Sequence, residues 1–187
     1  MHPWKTRTRT LLLDGGRYLK VENHVIELPD GRIIDDWLWL DTPDFVIVVA
    51  LRNDGRFLCF RQTKYAIDGL TLAPVGGYVE KGEQPLACAR RELQEETGYT
   101  ADEWITLGSY TVDSNRGNGT AHLFLARQLQ FVGQDGSDDL EEMQPVTLTR
   151  TELEAALRTR AVKALPWVTA FLLALNHLDG EAAASTP

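Results

Sequence analysis

The amino-acid sequence predicts an α/β sandwich built on a mixed sheet, preceded by a small antiparallel β-sheet. Three observations lead to this fold class. Residues 45–51 form a continuous apolar run, which is typical of a buried strand. Residues 85–97 form one uninterrupted helical segment between predicted strands. Two further helices are predicted near the C-terminus, and strands that flank a helix and are followed by closing helices form layered α/β domains.

Residues 1–42 are predicted to form the small antiparallel sheet. Because residues 1–10 are mostly polar, we expect them to be frayed, with strands at residues 11–13 and 18–28. The Pro-Asp-Gly run at residues 29–31 is a hairpin signal, so residues 32–40 are predicted as the partner strand. Trp37 and Trp39 are two residues apart in that strand, which places both rings on the same side of it.

Residues 43–180 are predicted to form the second domain, and residues 181–187 a disordered tail. The predicted order is strand 45–51, strand 56–62, loop 63–72, helix 85–97, strand 104–113, loop 114–119, strand 120–126, loop 133–142, strand 146–148, helix 151–158 and helix 166–178. A capping pattern at residues 151–154 opens the second helix. The last helix has Pro166 in its first turn, which suits a helix start. Its predicted buried stripe is Trp167, Phe171, Leu172 and Leu175.

The helix at residues 85–97 carries the most informative side chains. It begins at Pro85, contains mostly strong helix formers and stops before Gly98. Glu92, Glu95 and Glu96 lie at positions i, i+3 and i+4, so their carboxylates are expected to converge. A solvated acidic face is the alternative interpretation of three glutamates alone. If they do converge, their mutual repulsion favours a hard divalent cation, Mg²⁺ or alternatively Mn²⁺.

The spacing around this helix decides between the two interpretations. Gly77 is followed after five residues by Glu83, and after seven more by the run Arg-Glu-Leu-x-Glu-Glu-x-Gly at residues 91–98. This pattern resembles the Nudix box. Only Tyr99, where an aliphatic residue is usual, differs slightly from the pattern. The resemblance implies an α/β/α sandwich over residues 43–180 and metal-dependent hydrolysis of a nucleoside diphosphate linked to another moiety.

The same resemblance implies roles for individual residues of the box. The implied metal ligands are the carboxylates of Glu92, Glu95 and Glu96, together with the backbone carbonyl of Gly76. The residues with implied structural roles are Gly77, Glu83, Arg91 and Gly98. Among these, the arginine is expected to orient a glutamate from outside the metal's own set of ligands.

Outside the box, the chain is similar to the ADP-ribose pyrophosphatase branch of the Nudix hydrolases. The similarity lies in the N-terminal sheet, the run Phe-Arg-Gln-Thr-Lys-Tyr at residues 60–65, the run Ala-His-Leu-Phe-Leu-Ala at residues 121–126 and the closing helix. It implies Mg²⁺-dependent hydrolysis of ADP-ribose or a related ADP-sugar to AMP and a sugar phosphate. It also implies a homodimer in which the N-terminal sheets help to build each partner's adenosine pocket.

The branch suggests substrate contacts for several side chains. Trp37 and Trp39 are candidates for stacking on adenine, with a hydrophobic dimer or core face as the alternative. Lys64 lies where the branch tends to carry an arginine that contacts the diphosphate. A lysine keeps the positive charge but lacks the two-pronged hydrogen-bonding geometry of the guanidinium. Arg61 fits a substrate contact or a structural role equally well. Arg116 lies in a loop that lacks the proline typical of ADP-ribose hydrolases. It is either a substrate contact, to a phosphate or a sugar hydroxyl, or an exposed loop residue without such a contact.

The general base is sought in the acidic loop at residues 133–142. In the branch, a glutamate on the loop before the penultimate strand approaches the metals. The candidates here are Asp138, Asp139, Glu141 and Glu142, and the two glutamates are aligned best. His122, in a predicted strand, is expected to be a packing residue.

Composition narrows the classes of partner. The formal net charge of −8 leaves no basic patch for a nucleic-acid backbone. No signal peptide is expected, and the apolar stretch at residues 165–175 is too short to span a bilayer, so we expect a cytoplasmic protein. Cys59 and Cys88 are expected to be reduced core thiols.

Two alternatives to the ADP-sugar hydrolase are carried forward. The first is a Nudix hydrolase for another small nucleoside diphosphate derivative, either a dinucleoside polyphosphate or a damaged nucleotide. The second is a non-catalytic Nudix-like ligand sensor of the kind found in transcriptional regulators. Such sensors commonly have a degraded box and an added DNA-binding domain, whereas this chain has an intact box and an acidic charge.

Overall fold

The structure, a computed structural model, describes residues 2–133 and 143–184. Within these residues it contains ten strands and three helices. The strands are β1 (Lys5–Asp14), β2 (Lys20–Glu27), β3 (Ile33–Asp41), β4 (Phe45–Leu51), β5 (Phe57–Lys64), β6 (Ile67–Ala73), β7 (Val75–Tyr78), β8 (Tyr99–Asp113), β9 (Gly117–Phe131) and β10 (Gln144–Leu148). The helices are α1 (Pro85–Thr97), α2 (Arg150–Arg158) and α3 (Leu165–Ala184).

The chain divides into two compact units. The first comprises Met1–Asp44 together with Tyr110–Ala121, and the second comprises Phe45–Ser109 together with His122–Pro187. The chain therefore passes from one unit to the other within β8 and again within β9. The first unit takes in the segment around residues 114–119, which sequence reasoning had placed in the second domain.

The first unit is an antiparallel arrangement of β1, β2 and β3, joined by the start of β9. Gly31 has a φ of +86°, and its amide donates to the carbonyl of Leu28, which closes the predicted hairpin turn. β3 pairs with β9 in parallel at Leu40 and Gly117, so the sheet is mixed. The expectation that residues 1–10 are frayed is wrong, because Lys5 already pairs with Glu27 at the start of β1. The alternating threonines of that segment are β-branched residues that favour strands.

The second unit is a sheet with helices on both faces. Its strand order is β9-β4-β5-β10, with β6 on β5, β7 on β4 and β8 on β9. Val46 and Val48 of β4 pack with Leu93 of α1 on one face. Ile47 and Val49 point to the opposite face and are also fully buried, and α3 packs against β4. The predicted α/β sandwich with a mixed sheet is confirmed.

Several strands differ from the predicted boundaries. β9 begins at Gly117, inside the predicted loop 114–119, and ends at Phe131, past the predicted end at residue 126. Residues 63–72 were expected to be a loop because they contain Asp68 and Gly69, but β6 occupies most of this segment and pairs with β5. Thr71 and Ala73 are buried there, so tertiary pairing overrides the turn signal. β8 begins at Tyr99, directly after Gly98, and so starts five residues before the predicted position at residue 104.

The closing helices also differ in detail. The capping box of α2 is formed by Thr149, whose side chain accepts from the amide of Glu152, and not by Thr151 as predicted. α3 continues to Ala184, past the predicted end near residue 178, and Gly180 lies within it. Residues 181–184 are therefore helical where a disordered tail was predicted, and residues 185–187 lie outside the described residues. Leu172 is exposed, which corrects its place in the predicted buried stripe. In the part of the chain that the structure describes, no helix has the length and apolarity to cross a bilayer.

Replacement of Gly98 by alanine is expected to lower the free energy of unfolding by about 1–2 kcal/mol. Gly98 ends α1 in the left-handed conformation, with φ 71°. A Cβ there would also lie 2.8 Å from the ring of Phe131. Chemical denaturation measures the effect. Gly180→Ala is the matched control, because a helical glycine with no neighbour within 4 Å should gain stability on this change. Equal effects of the two changes on stability would contradict the role of Gly98 as the left-handed residue that ends α1.

Candidate functional site

The candidate site is built where β7 leads towards α1. Gly77 lies directly beneath Glu92, so that a Cβ on Gly77 would collide with the Glu92 carboxylate. A Cβ on Gly76 would lie 2.6 Å from the carbonyl oxygen of Val46 on the neighbouring strand. The amide of Gly76 donates to Glu96 Oε2 at 3.3 Å. The missing Cβ of Gly77 therefore leaves room for the Glu92 carboxylate, whereas that of Gly76 leaves room for β4. Glu96 contacts β7 through the Gly76 amide.

Arg91 is the cationic centre of the box. Its Nε donates to Glu83 Oε1 at 3.1 Å and its Nη2 to Glu83 Oε2 at 3.2 Å, which makes a two-pronged ion pair. Its Nη1 donates to Glu92 Oε1 at 2.7 Å and to Glu95 Oε2 at 2.9 Å. The hydrogen bond from Arg91 lowers the pKa of Glu83, and the same bond raises the pKa of Arg91. Both groups are therefore charged at neutral pH.

The three predicted ligand carboxylates lie on one side of α1 but have different contacts. Glu92 contacts Arg91, and Glu96 lies at the Gly76 amide. Glu95 also pairs with Arg91, and its side chain is 56% exposed. Among residues 2–133 and 143–184, no three acidic, histidine or cysteine side chains are grouped as a metal cluster. Their role as metal ligands stays a prediction.

A cavity of about 310 Å³ opens beside Gly76 and Glu96. Its lining also includes Lys64 and Gln62 of β5, and an apolar wall that contains Met143 and Trp167. The predicted substrate residue Lys64 is therefore on the same cavity as the predicted ligand Glu96. Such a cavity, with apolar walls and a few polar groups, is typical of a small-molecule site.

Arg61 and Arg116 lie elsewhere. Arg61 is exposed, and it is not part of the cavity lining because neighbouring residues of a strand point to opposite faces. Arg116 is exposed in the first unit, where its backbone amide donates to Asp113 Oδ1 at 3.1 Å. The structure therefore brings Lys64, but not Arg61, to the cavity beside Glu96.

Sequence reasoning did not single out Gln62 or Met143 and assigned Trp167 only to packing. Gln62 is 4% exposed, and among the described residues its Oε1 has no hydrogen-bond partner. The signal for Gln62 was a polar residue two positions after the apolar Phe60 on the same side of a buried strand. Met143 and Trp167 carry no comparable signal, because both look like ordinary core residues.

Trp37 and Trp39, the two predicted stacking residues, line an aromatic hollow in the first unit. Its volume is about 380 Å³, and its lining includes Trp4, His24, Trp37, Trp39, Ser114 and Asn115. The Trp39 ring stacks on His24 with centroids 5.4 Å apart. Trp37 Nε1 donates to the carbonyl of Asn115 at 2.8 Å, and its ring meets Trp4 edge-on. Both tryptophans lie on the same hollow, with their rings held by neighbours within the unit.

The remaining candidates fall outside the cavity or outside the described residues. Glu141 and Glu142, like Asp138 and Asp139, lie outside the residues that the structure describes. His122 Nδ1 is 2.8 Å from Ser109 Oγ. Cys59 and Cys88 are buried free thiols, and burial raises the pKa of each to about 12. Neither thiol is therefore ionised at neutral pH.

Comparison with known proteins finds relatives that match most of the chain. The NUDIX domain family matches residues 41–168. The chain is 28% identical over 143 residues to an ADP-ribose pyrophosphatase of Bacillus subtilis (strain 168), covering 76% of each chain. It is 28% identical over 150 residues to a methanol dehydrogenase activator of Bacillus methanolicus, covering 80% of each.

A third relative and a solved structure cover still more of the chain. The relative is a CMP-5'-(N-acetyl-N-hydroxy-3-aminopropyl)phosphonate hydrolase of Streptomyces rubellomurinus (strain ATCC 31215), 28% identical over 178 residues, which are 95% of this chain and 84% of the relative. The solved structure is the crystal structure of an ADP compounds hydrolase. It matches with a TM-score of 0.76 at 19% identity, over 95% of this chain and 97% of the other. This match shows that the two proteins share a fold.

Proposed function

Because the chain belongs to the NUDIX domain family and is a hydrolase of that family, we propose that it hydrolyses the diphosphate bond of ADP-ribose or a related nucleoside diphosphate sugar. The observation that carries the proposal is the cavity on which Lys64 and Glu96 both lie. A diphosphate needs a cationic contact, and its hydrolysis needs carboxylates near the reacting phosphorus. Two of the relatives are named for hydrolysis of nucleotide derivatives, which supports the same substrate class.

We propose Mg²⁺, with Mn²⁺ as the alternative, as the cofactor of this reaction. The groups that would hold it are the carboxylates of Glu92, Glu95 and Glu96 and the carbonyl of Gly76. These groups fit a hard cation, because every donor is an oxygen and because two of the carboxylates already reach the backbone of β7. When bound, the cation would neutralise phosphate oxygens and lower the pKa of an attacking water.

The chain's own residues supply binding and proton transfer. Lys64 would hold the diphosphate as a point charge, without the two-pronged geometry of an arginine. Glu141 or Glu142 is proposed as the general base that takes a proton from the water. The water oxygen then forms a new bond to phosphorus, and the bond from that phosphorus to the bridging oxygen breaks. The products are a nucleoside monophosphate and a sugar phosphate.

The first unit is proposed to contribute the nucleobase contact. Trp37 and Trp39 would stack on the base at the aromatic hollow, a contact worth about 1–3 kcal/mol per base. Arg116 and Arg61 are proposed as further substrate contacts, with less support because both are exposed and neither lines a described cavity with Glu96.

The homodimer is proposed to form through the N-terminal sheet. β1 is exposed along its whole length, and it includes three consecutive leucines at residues 11–13 that are each more than half exposed. Exposed apolar side chains on an edge strand favour pairing with another chain. The cytoplasm is the proposed compartment.

Incubation of the protein with ADP-ribose and Mg²⁺ is expected to yield AMP and ribose 5-phosphate in equal amounts. Mass spectrometry in ¹⁸O-labelled water identifies both products and shows which phosphorus received the water oxygen. Chelation by EDTA is the control and should abolish turnover. Release of inorganic phosphate alone would contradict attack within the diphosphate. Preferential cleavage of a dinucleoside polyphosphate in the same assay would shift the substrate to the first alternative.

A further inference from the structure

We propose that Gln62 is a substrate-binding residue whose Oε1 accepts a hydrogen bond from a hydroxyl group of the terminal sugar, the one joined to the diphosphate on the side away from the nucleoside. The inference rests on the proposed function and names a contact within it. It follows from three properties of Gln62, which are its burial, its position on the cavity and the chemistry of its amide oxygen.

The burial of Gln62 is unusual for a polar side chain. The residue is 4% exposed, and its Oε1 is buried without a hydrogen-bond partner among the residues that the structure describes. Most buried polar atoms in proteins are satisfied, because an unsatisfied one has lost its water without compensation. An amide oxygen in this state is therefore a poor contributor to stability and a strong acceptor for an incoming donor.

The position of Gln62 directs it to the cavity. Alternate residues of β5 lie on the same face of the strand, and on this face they are Leu58, Phe60, Gln62 and Lys64. Leu58 and Phe60 belong to the core beneath α1. Gln62 is the point at which this face changes from core to cavity lining. Its backbone is held by pairing with Thr71 of β6, so the side chain is presented from a rigid strand.

The neighbours on the cavity indicate the kind of donor. Lys64, two residues further on, and Glu96 line the same cavity. Lys64 suits the diphosphate, whose ionised oxygens are acceptors and so do not satisfy Gln62 Oε1. A sugar hydroxyl is a donor that lies within a few bonds of the diphosphate. Lys64 and Gln62 together therefore suit a substrate in which a phosphate group, bound by Lys64, lies next to a hydroxyl group, bound by Gln62.

The first arm of the test measures stability without substrate. Gln62→Met replaces the amide by an apolar group of similar shape, so its melting temperature is expected to equal or exceed that of the wild-type protein. Gln94→Met, at an exposed position of α1, is the matched control for the chemical change. A fall of about 5 °C or more in Gln62→Met alone would show a structural role and overturn the inference.

The second arm compares two substrates, ADP-ribose and the β-methyl ester of ADP, which keeps the adenosine ribose but lacks the terminal sugar and its hydroxyls. For Gln62→Met, kcat/KM with ADP-ribose is expected to fall about tenfold, while kcat/KM with the methyl ester changes less than about twofold. Gln94→Met should match the wild-type protein on both. Equal losses on the two substrates would overturn the inference but leave the proposed function standing. A wild-type protein that cleaves neither compound would overturn both.

Discussion

Replacement of Glu96 by glutamine is expected to reduce kcat by roughly 100-fold or more while the protein stays folded. The change removes a negative charge and a proposed metal ligand but keeps the size of the side chain. The amide oxygen of glutamine can still accept the hydrogen bond from the Gly76 amide, which Glu96 Oε2 accepts at 3.3 Å. Glu96 is not part of the apolar core around Leu93, so packing is unaffected. Steady-state kinetics with ADP-ribose measures the effect.

The matched control for this prediction is Glu80→Gln. Glu80 lies in the same loop-helix segment and is exposed, so the same chemical change should leave kcat within about twofold. Thermal unfolding of both variants separates a loss of activity from a loss of structure. Wild-type turnover in a folded Glu96→Gln protein would contradict the assignment of Glu96 as a metal ligand.

Replacement of Arg91 by alanine is expected to lower the free energy of unfolding at neutral pH by about 3 kcal/mol. The Arg91 guanidinium contacts three carboxylates, and two of them, on Glu83 and Glu92, have side chains that are only 17% and 14% exposed. Its removal leaves these partly buried charges close together without a counter-ion. Denaturant titration at pH 7 measures the loss. Arg91→Lys should lose less, because it keeps the charge but not the two-pronged contact with Glu83.

The pH dependence of this effect follows from the direction of the pKa shift. Arg91 lowers the pKa of Glu83 below its ordinary value of 4.5 in the folded protein. The corresponding stability is present above pH 4.5 and is lost as the pH falls through the lower folded value. The difference between the wild-type protein and Arg91→Ala should therefore narrow below pH 4.5. A difference that is constant from pH 7 to pH 3 would show that lost packing, and not charge, explains the destabilisation.

Local signals were enough to predict the central elements. The predicted bounds of α1 and β4 agree with the structure, because Pro85 and Gly98 delimit the helix and an unbroken apolar run defines the strand. β6 could not be predicted in the same way. Its pairing with β5 outweighs the turn signal at Asp68 and Gly69, and such pairing depends on residues outside the local window.

The candidate site shows the same division between local and long-range information. The positions of Arg91 and Glu95, four residues apart on a helix, are local information that favours an ion pair, and the structure contains this pair. The two contacts between Arg91 and Glu83 were not predicted as geometry, since they depend on how the chain turns before α1. Gln62 could be read only as a polar residue in a strand, because an unsatisfied oxygen is a property of its surroundings.

The aromatic hollow also gives the protein a built-in optical probe. Of the five tryptophans in the chain, Trp4, Trp37 and Trp39 belong to the first unit. Two of these rings meet edge-on, and the third stacks on His24. Three of the five tryptophans therefore report on this unit in ultraviolet fluorescence and near-ultraviolet circular dichroism. Spectroscopy without any attached dye is therefore sensitive to the first unit, while the helical part of the far-ultraviolet circular dichroism reports on the second unit, which contains the three helices of the described residues.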